Sequence, residues 1–453
     1  MQAIQNDKKF MESEPIPRLL ARFAGPALVG MLANALYNIV DRIFVGQTVG
    51  RDGLAAIALA FPCMLFFISV GFLVGIGSAS RVSILLGEKR VSQAERTLGN
   101  SLTLATVLSL VLLAGGAYFF REILLLSGTS EHLYPMAASY LHIIMYGVFF
   151  SIVSFTLSCQ IRACGSPTFA MGTQVVGAAA NIVLDAWLVI GRDMGVEGAA
   201  IATVISQILS CGWAVAYFFL PKSTLKLRLR DIVRLDRATV ARIFAVGVPS
   251  CLVHLNFVLV HGVITNASST YGGDLAVSAT GVFMSLDSLL FMPAIAIAEA
   301  CQPIIGYNFG AGKPERVIKT VKAGMLATTA FYVTSFAVLM LFAEYLVMMF
   351  NRDDAELIAL TARAIRVANV GIPLMGVTVV NTSFLQGLGK GREGLLIALI
   401  RFGIFLWIPL LILPKYFGVL GAWGAFPISD VFGSIVAGLF ALRTARALRD
   451  GRI

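Results

Sequence analysis

The chain has 453 residues, of which 58% are hydrophobic and only 13% charged, with a formal net charge of +10. A soluble protein of this length carries about 25% charged residues, so the composition excludes a soluble enzyme or water-soluble binding module and points to a polytopic membrane protein. Its basic residues sit in loops between apolar runs, without the interleaved aromatics of a nucleic-acid surface, so no nucleic-acid partner is expected.

The opening stretch "MQAIQNDKKFMESEPIPRLL" is polar and mixed in charge. It lacks the apolar core and small-residue cleavage site of a signal peptide. Residues 1–17 therefore read as a cytoplasmic tail with room for a short helix. Twelve apolar spans follow, at 18–45, 53–80, 96–118, 133–158, 166–191 and 196–220, then 242–268, 276–306, 317–342, 357–386, 393–413 and 419–442. Each is long enough to cross about 30 Å of hydrocarbon at a rise of about 1.5 Å per residue. With the N-terminus inside, the outer loops hold only Arg51, Arg121, Arg192, Arg352 and Lys415. The bias of Lys and Arg toward the other side puts both termini in the cytoplasm. The six cysteines form no CxxC pair, and neither a disulfide framework nor a zinc site is expected.

The longest inner loop, "PKSTLKLRLRDIVRLDRATVAR", lies at the midpoint. Shifting the sequence by 223 places Pro26 on Pro249, Gly50 on Gly273, Ala56 on Ala279 and Gly87 on Gly310. It also places Gly195, Val196, Gly198, Ala199, Ala202 and Ser206 on Gly418, Val419, Gly421, Ala422, Ala425 and Ser429. The expected fold is therefore all-α, with twelve transmembrane helices in two six-helix lobes, an N-lobe at 18–220 and a C-lobe at 242–446. A cytoplasmic linker at 221–241 joins them, and a cytoplasmic tail at 447–453 ends the chain. Six is even, so both lobes enter the membrane in the same sense, and their pseudo-twofold axis runs along the membrane normal. Proteins so built hold substrate between or within the lobes and work by alternating access.

Ionisable residues inside spans are costly and mark function. Asp41 on span 1 and Asp185 on span 5 lie at similar depth below the outer boundary. Asn34, Tyr37, Asn38 and Asp41 share one helical face, as do Asn181 and Asp185, and Thr203 on span 6 lies at comparable depth. Two carboxylates among amide and hydroxyl oxygens suit a shared proton or a small hard cation such as sodium. Arg42 is a poor partner for Asp41, because adjacent helical residues point about 100° apart. In the second half, Met284, Asp287 and Met292 form a soft wall around one acid, suited to apolar cations. Ser154, Phe155 and Asn256 complete the expected substrate cavity. Glu299 and Asp430 are candidates for a gate or second titrating site. No catalytic motif and no nucleotide-binding loop is present, so neither an enzyme nor direct ATP drive is expected.

In this order and at this repeat spacing, "ALYNIVDRIFVGQTVGRDGLAAIALAFP", "LLGEKRVSQAERTLGN", "IRACGSPTFA", "NIVLDAWLVIGRDMGVEGAAIATVISQ" and "ACQPIIGYNFGAGKPERV" resemble the multidrug and toxic compound extrusion (MATE) family over residues 15 to 445. The combination is most similar to the bacterial drug-efflux branch with acids on spans 1 and 5. That resemblance implies antiport in the bacterial inner membrane, with cationic amphiphilic drugs leaving as protons or sodium ions enter. It implies no cofactor beyond the coupling ion and no obligatory protein partner. It also implies a first-lobe cation site at Asp41, Asn181, Asp185, Thr203, Tyr37 and Asn34. The sequence departs from the family's pattern where Ser151, Ser154, Thr156 and Ser158 stand on span 4 in place of asparagines, and where span 7 lacks an acid. A flippase for a lipid-linked sugar or other amphiphilic metabolite is the alternative. It would want basic residues in its cavity, whereas the charges within the spans are mostly acidic, Arg401 being the main exception. An intramembrane enzyme using Asp41 and Asp185 as an aspartyl pair is the remote one.

Overall fold

A computed structural model of the protein describes residues 9–126, 131–350, 352 and 354–453. Among the described residues every regular element is helical. A short helix, Lys9–Ser13, precedes α1 (Ile16–Thr48), α2 (Arg51–Gly87), α3 (Val91–Tyr118), α4 (Tyr134–Ala163), α5 (Pro167–Gly191) and α6 (Gly195–Tyr217). The next helical stretch, Arg237–Gly310, runs for 74 residues and is broken at Gly273, whose φ of 64° is not helical. It comprises two spans, α7 (237–272) and α8 (274–310). After α9 (Pro314–Met348) comes α10, in two pieces, Ala355–Ala368 and Ile372–Gly387, bent by 54°. The helices α11 (Gly391–Phe417) and α12 (Val419–Arg449) complete the set. Among the described residues ten helices are long and apolar enough to cross a membrane, or eleven when the bent pair counts as one. Dividing the 74-residue stretch at Gly273 makes twelve, as the sequence predicts.

Several helices outrun the expected spans, those of spans 2, 9 and 12 reaching Gly87, Met348 and Arg449, and two further differences have an identifiable cause. Span 10, expected to be continuous, is broken, because Pro373 lacks an N–H and restricts the backbone before it. The helix of span 7 starts at Arg237, ahead of the expected 242. Asp236 is responsible: its Oδ2 accepts from the Thr239 backbone N–H at 3.2 Å and from the Thr239 hydroxyl at 2.6 Å, which caps the first turn. The Thr239 hydroxyl, with Arg96 adding to it, holds the Asp236 carboxyl below its usual value.

The internal repeat is written into the backbone. Left-handed φ angles occur at Gly50 and Gly273, at Lys89 and Gly312, and at Gly195 and Gly418, each pair 223 apart. Gly165 and Gly389 form a fourth pair at 224. The two halves therefore turn their chain at the same joints.

By packing, the described chain divides into two units. The first holds Gly25–Leu255 with the N-terminal segment to Glu14, and the second holds Asn256–Ile453 with Pro15–Ala24. In the first unit α4 is central and mostly buried, above all over its C-terminal half. Its Gln160 amide donates to Ser78 Oγ on α2 at 3.1 Å and also to Ser101 Oγ on α3, which ties three helices through one buried side chain. The start of α7 crosses α2 at backbone distance: a Cβ on Gly247 would fall 2.0 Å from the Leu73 carbonyl oxygen, and one on Gly77 would fall 2.2 Å from that of Ile243. Small residues at such crossings let helix backbones meet where lipid supplies no hydrophobic drive.

The segment between α6 and α7 is docked on this unit. Its short helix, Leu229–Val233, lies against α3 at Gly99 and Asn100. The buried Asn100 amide donates to the Asp231 and Arg234 carbonyls at 2.9 and 3.0 Å, and its oxygen accepts from the Asp236 N–H at 2.7 Å. Arg228 pairs with the buried Glu95 at 3.0 Å. In the second unit, Trp423 is fully buried in a cluster with Phe283, Tyr332 and Met375, and its indole N–H donates to Thr280 Oγ1 at 3.0 Å.

Candidate functional site

In the first unit, α1, α4, α5 and α6 bring a set of polar side chains into an apolar interior. Asp185 is fully buried and Asp41 is 7% exposed. Their charges lie within reach of each other and of the Tyr37 and Tyr140 hydroxyls. Both oxygens of Asp185, Oδ1 of Asp41 and Oδ1 of Asn181 are buried without a hydrogen-bond donor from the protein. Asn181 does use its amide nitrogen, which donates to Thr203 Oγ1 at 3.4 Å. Uncompensated burial of acceptors costs roughly 1–3 kcal/mol each, and more for charged groups. Four such oxygens on three neighbouring residues are a fixed demand for positive charge.

The local fold puts them there. Asp185 is the last α-helical residue of α5, and the helix continues as a π-helical stretch, Ala186–Gly191. Such bulges re-aim side chains and recur at functional sites. Arg42 does not neutralise its neighbour by an ion pair; its guanidinium lies over the Phe61 ring at 5.6 Å.

Of the residues expected at this site, Asp41, Tyr37, Asn181, Asp185 and Thr203 are assembled. Asn34 is exposed, two turns before Asp41, and its side-chain oxygen accepts from the Asn38 amide at 3.0 Å. Tyr140, on α4, is an addition. It is 2% exposed, and no polar residue at helical spacing marks it in the sequence.

The residues expected to line a substrate cavity are distributed. Ser154 is buried on α4, and the neighbouring Phe155 ring packs on Phe72 with centroids 4.5 Å apart. Asn256 Oδ1 accepts from the Trp407 indole at 2.7 Å within the second unit. Met284 packs against the apolar cluster of that unit, and Met292 is half-buried.

The second unit gathers its own charged group. Arg401 donates to Asp430 Oδ1 at 3.1 Å, and both side chains are largely buried. Arg401 also lies 3.0 Å from the Met375 sulfur and over the Phe402 ring at 4.8 Å. It sits in a π-helical stretch, Leu399–Trp407, and the Ser429 hydroxyl donates to its backbone carbonyl. Asp287 on α8 lies within range of the Asp430 charge, and Tyr332 on α9 within range of Asp287, Asp430 and Arg401. The sequence singles out Asp287 and Asp430 but not the pairing of Asp430 with Arg401. Glu299 is half-buried on α8, twelve residues beyond Asp287 and so about 18 Å along the helix. It is not part of this group.

The MatE family model matches the chain twice, over residues 26–187 and 249–411, one copy in each half of the sequence repeat. The multidrug export protein MepA of Staphylococcus aureus is 24% identical over 428 residues, which covers 94% of each chain. Among solved structures, an outward-facing multidrug resistance MATE transporter of the MOP superfamily is similar with a TM-score of 0.90 at 23% identity, over 97% of this chain and 98% of that one. A MOP superfamily transporter from Pyrococcus furiosus, for which reversed binding-pocket polarity suggests a different function, is similar with a TM-score of 0.89 at 24% identity, over 97% and 98%.

Proposed function

The chain belongs to the MatE family of multidrug and toxic compound extrusion transporters, and we propose that it is a cation-coupled antiporter that exports cationic amphiphilic compounds by alternating access of its two lobes. It acts in a bacterial cytoplasmic membrane with both termini inside. The observation that carries this reading is the cluster of donor-less buried oxygens on Asp41, Asp185 and Asn181.

The chemistry follows from charge. Empty, the pair of carboxylates is a strongly unfavourable concentration of negative charge in an apolar interior. A proton shared between them, or a sodium ion held by oxygen ligands, removes that penalty. Both ions suit this set, since carboxylate, amide and hydroxyl oxygens are hard donors. Loading and unloading therefore change which helix arrangement is stable. If ion and organic cation favour different arrangements, each displaces the other, and their coupling is reciprocal. Tyr37 and Tyr140 place hydroxyls beside the carboxylates and orient the proton or ion.

The acidic character of the first-unit site favours a cationic cargo over the pyrophosphate of a lipid-linked sugar, which would draw arginine and lysine. The test is uptake of a fluorescent organic cation into inverted proteoliposomes, driven separately by a proton gradient and by a sodium gradient. Wild-type protein should respond to one of them. Asp41→Asn and Asp185→Asn should each abolish the gradient-driven component with the protein still folded. Gradient-driven uptake at the wild-type rate by either variant would refute the shared site.

A further inference from the structure

The segment between α6 and α7 is held against α3 from Glu95 to Thr103. The Lys226 N–H donates to Glu95 Oε1 at 3.2 Å, and the Thr103 hydroxyl donates to the Ile232 carbonyl at 2.5 Å. Between them, a Cβ on Gly99 would fall 2.5 Å from the Asp231 carbonyl carbon, so the two backbones touch. From Glu95 to Thr103 the helix rises about 12 Å, starting at the boundary of span 3. The segment is therefore fixed at the level where lipid headgroups give way to hydrocarbon.

Docking uses the backbone of the segment and leaves side chains facing outward. Leu229 is 76% exposed and Val233 74%, and at i and i+4 they share one face of the short helix. Arg230 and Arg234 each follow one of them, and Lys222 and Lys226 lead into the helix. These four cations are exposed and pair with no acid among the described residues, whereas Arg228 is held by Glu95. The bias of Lys and Arg toward one side of the membrane accounts for the charges. It does not account for two bare aliphatic side chains fixed among them. An apolar stripe flanked by Lys and Arg is the pattern of a segment lying in the membrane interface, and four or more such cations beside a span attract anionic lipid.

We propose that this segment is a binding surface for anionic phospholipid: Lys222, Lys226, Arg230 and Arg234 hold the phosphodiester headgroups, while Leu229 and Val233 lie against the acyl chains. The fit is one of charge and depth. A phosphatidylglycerol headgroup carries a net negative charge that zwitterionic phosphatidylcholine lacks, and each Lys or Arg near the surface favours the anionic lipid about fivefold. Gly99 and the Asn100 amide fix the backbone beforehand, so a helix of one turn does not have to hold itself at the interface by insertion alone. Lipid bound here also fastens the segment to α3 from its outer side. Binding requires only that the chain spans a membrane and is independent of antiport.

The test is lipid titration of the purified full chain, read by native mass spectrometry, with phosphatidylglycerol and phosphatidylcholine as the probes. Wild-type protein should prefer phosphatidylglycerol. The combined variant Lys222→Gln, Lys226→Gln, Arg230→Gln, Arg234→Gln should lose that preference by at least about tenfold. The control Arg443→Gln, Arg446→Gln, Arg449→Gln, Arg452→Gln removes as much charge from the end of the chain and should lose less. An unchanged preference in the first variant, or an equal loss in both, would overturn the proposal. The substituted side chains are exposed and the docking bonds use the backbone, so the fold is kept. Depth is read separately from a fluorophore attached to Leu229→Cys in proteoliposomes, the six native cysteines being buried. Nitroxide-bearing lipid should quench it more strongly than aqueous iodide. Stronger quenching by iodide would place the stripe in water, and shielding from both quenchers would place protein over it; either result overturns the proposal. Failure of gradient-driven transport would count against antiport without altering these readouts.

Discussion

Replacing Asn100 by alanine should release the segment that joins the two halves. The wild-type amide makes three hydrogen bonds to that segment, at 2.9, 3.0 and 2.7 Å, from a side chain that is fully buried. At about 1 kcal/mol net for each bond, and with some regain from water in the opened form, the loss is about 2–3 kcal/mol. That raises the open population roughly 30- to 150-fold. Limited trypsin digestion reads this directly, because the segment carries Lys222, Lys226, Arg228, Arg230 and Arg234. When reclosing outpaces cleavage, the rate follows the open population. Cleavage in this segment should therefore quicken by that factor, with the spans still intact. A wild-type cleavage rate, or an equal increase at sites throughout the chain, would refute the argument that Asn100 is the anchor.

Asp236 adds a pH dependence to the same region. Its carboxyl is held below the ordinary value near 4, so its contribution is complete above that value and is lost as pH falls through the lower native one. Hydrogen exchange of the peptide spanning 229–245 should be flat from neutral pH to about 5, after correction for intrinsic rates, and should lose protection only in stronger acid. Asp236→Asn should remove that acid step, and a step that survives would assign it elsewhere. Tyr140→Phe removes a hydroxyl beside the two carboxylates and should weaken binding of the coupling ion by about tenfold, on the order of one polar contact, as measured by ion titration of the purified protein; wild-type affinity would remove Tyr140 from the site. Gly247→Ala should destabilise the protein by about 1–3 kcal/mol through overpacking against Leu73. Gly262→Ala on the same helix, where a Cβ meets open space, should be neutral or stabilising, and equal melting temperatures for the two variants would contradict the backbone crossing.

The span count and the repeat were legible because they rest on hydropathy and on glycines whose backbone angles only a few residue types adopt. The first-unit acids were legible because an aspartate in an apolar run needs a reason, and helical spacing supplied Tyr37 and Asn181 beside it. Tyr140 was not, since a tyrosine in an apolar helix carries no signal until the fold turns it toward Asp41 and Asp185. Arg401 was visible as an exception, but its pairing with Asp430 depends on how α11 and α12 pack. The break in α10 was announced by Pro373, yet a single proline does not say whether a span kinks or continues. The docking of the segment between α6 and α7 was hidden because its many charges resemble those of any loop.

The crossing of α2 and α7 also bears on how the protein is made. Leu73 and Gly247 are 174 residues apart, and at ribosomal rates of roughly 5–20 residues per second the first waits about 10–35 s for the second. Over that interval Leu73 on α2 lacks the helix it finally meets, and residues Pro15–Ala24, at the start of α1, lack the unit with which they finally pack. Neither half is a finished object when it leaves the insertion machinery. Genes cut in the segment between α6 and α7 should yield fragments that mature only when both are present in one bilayer.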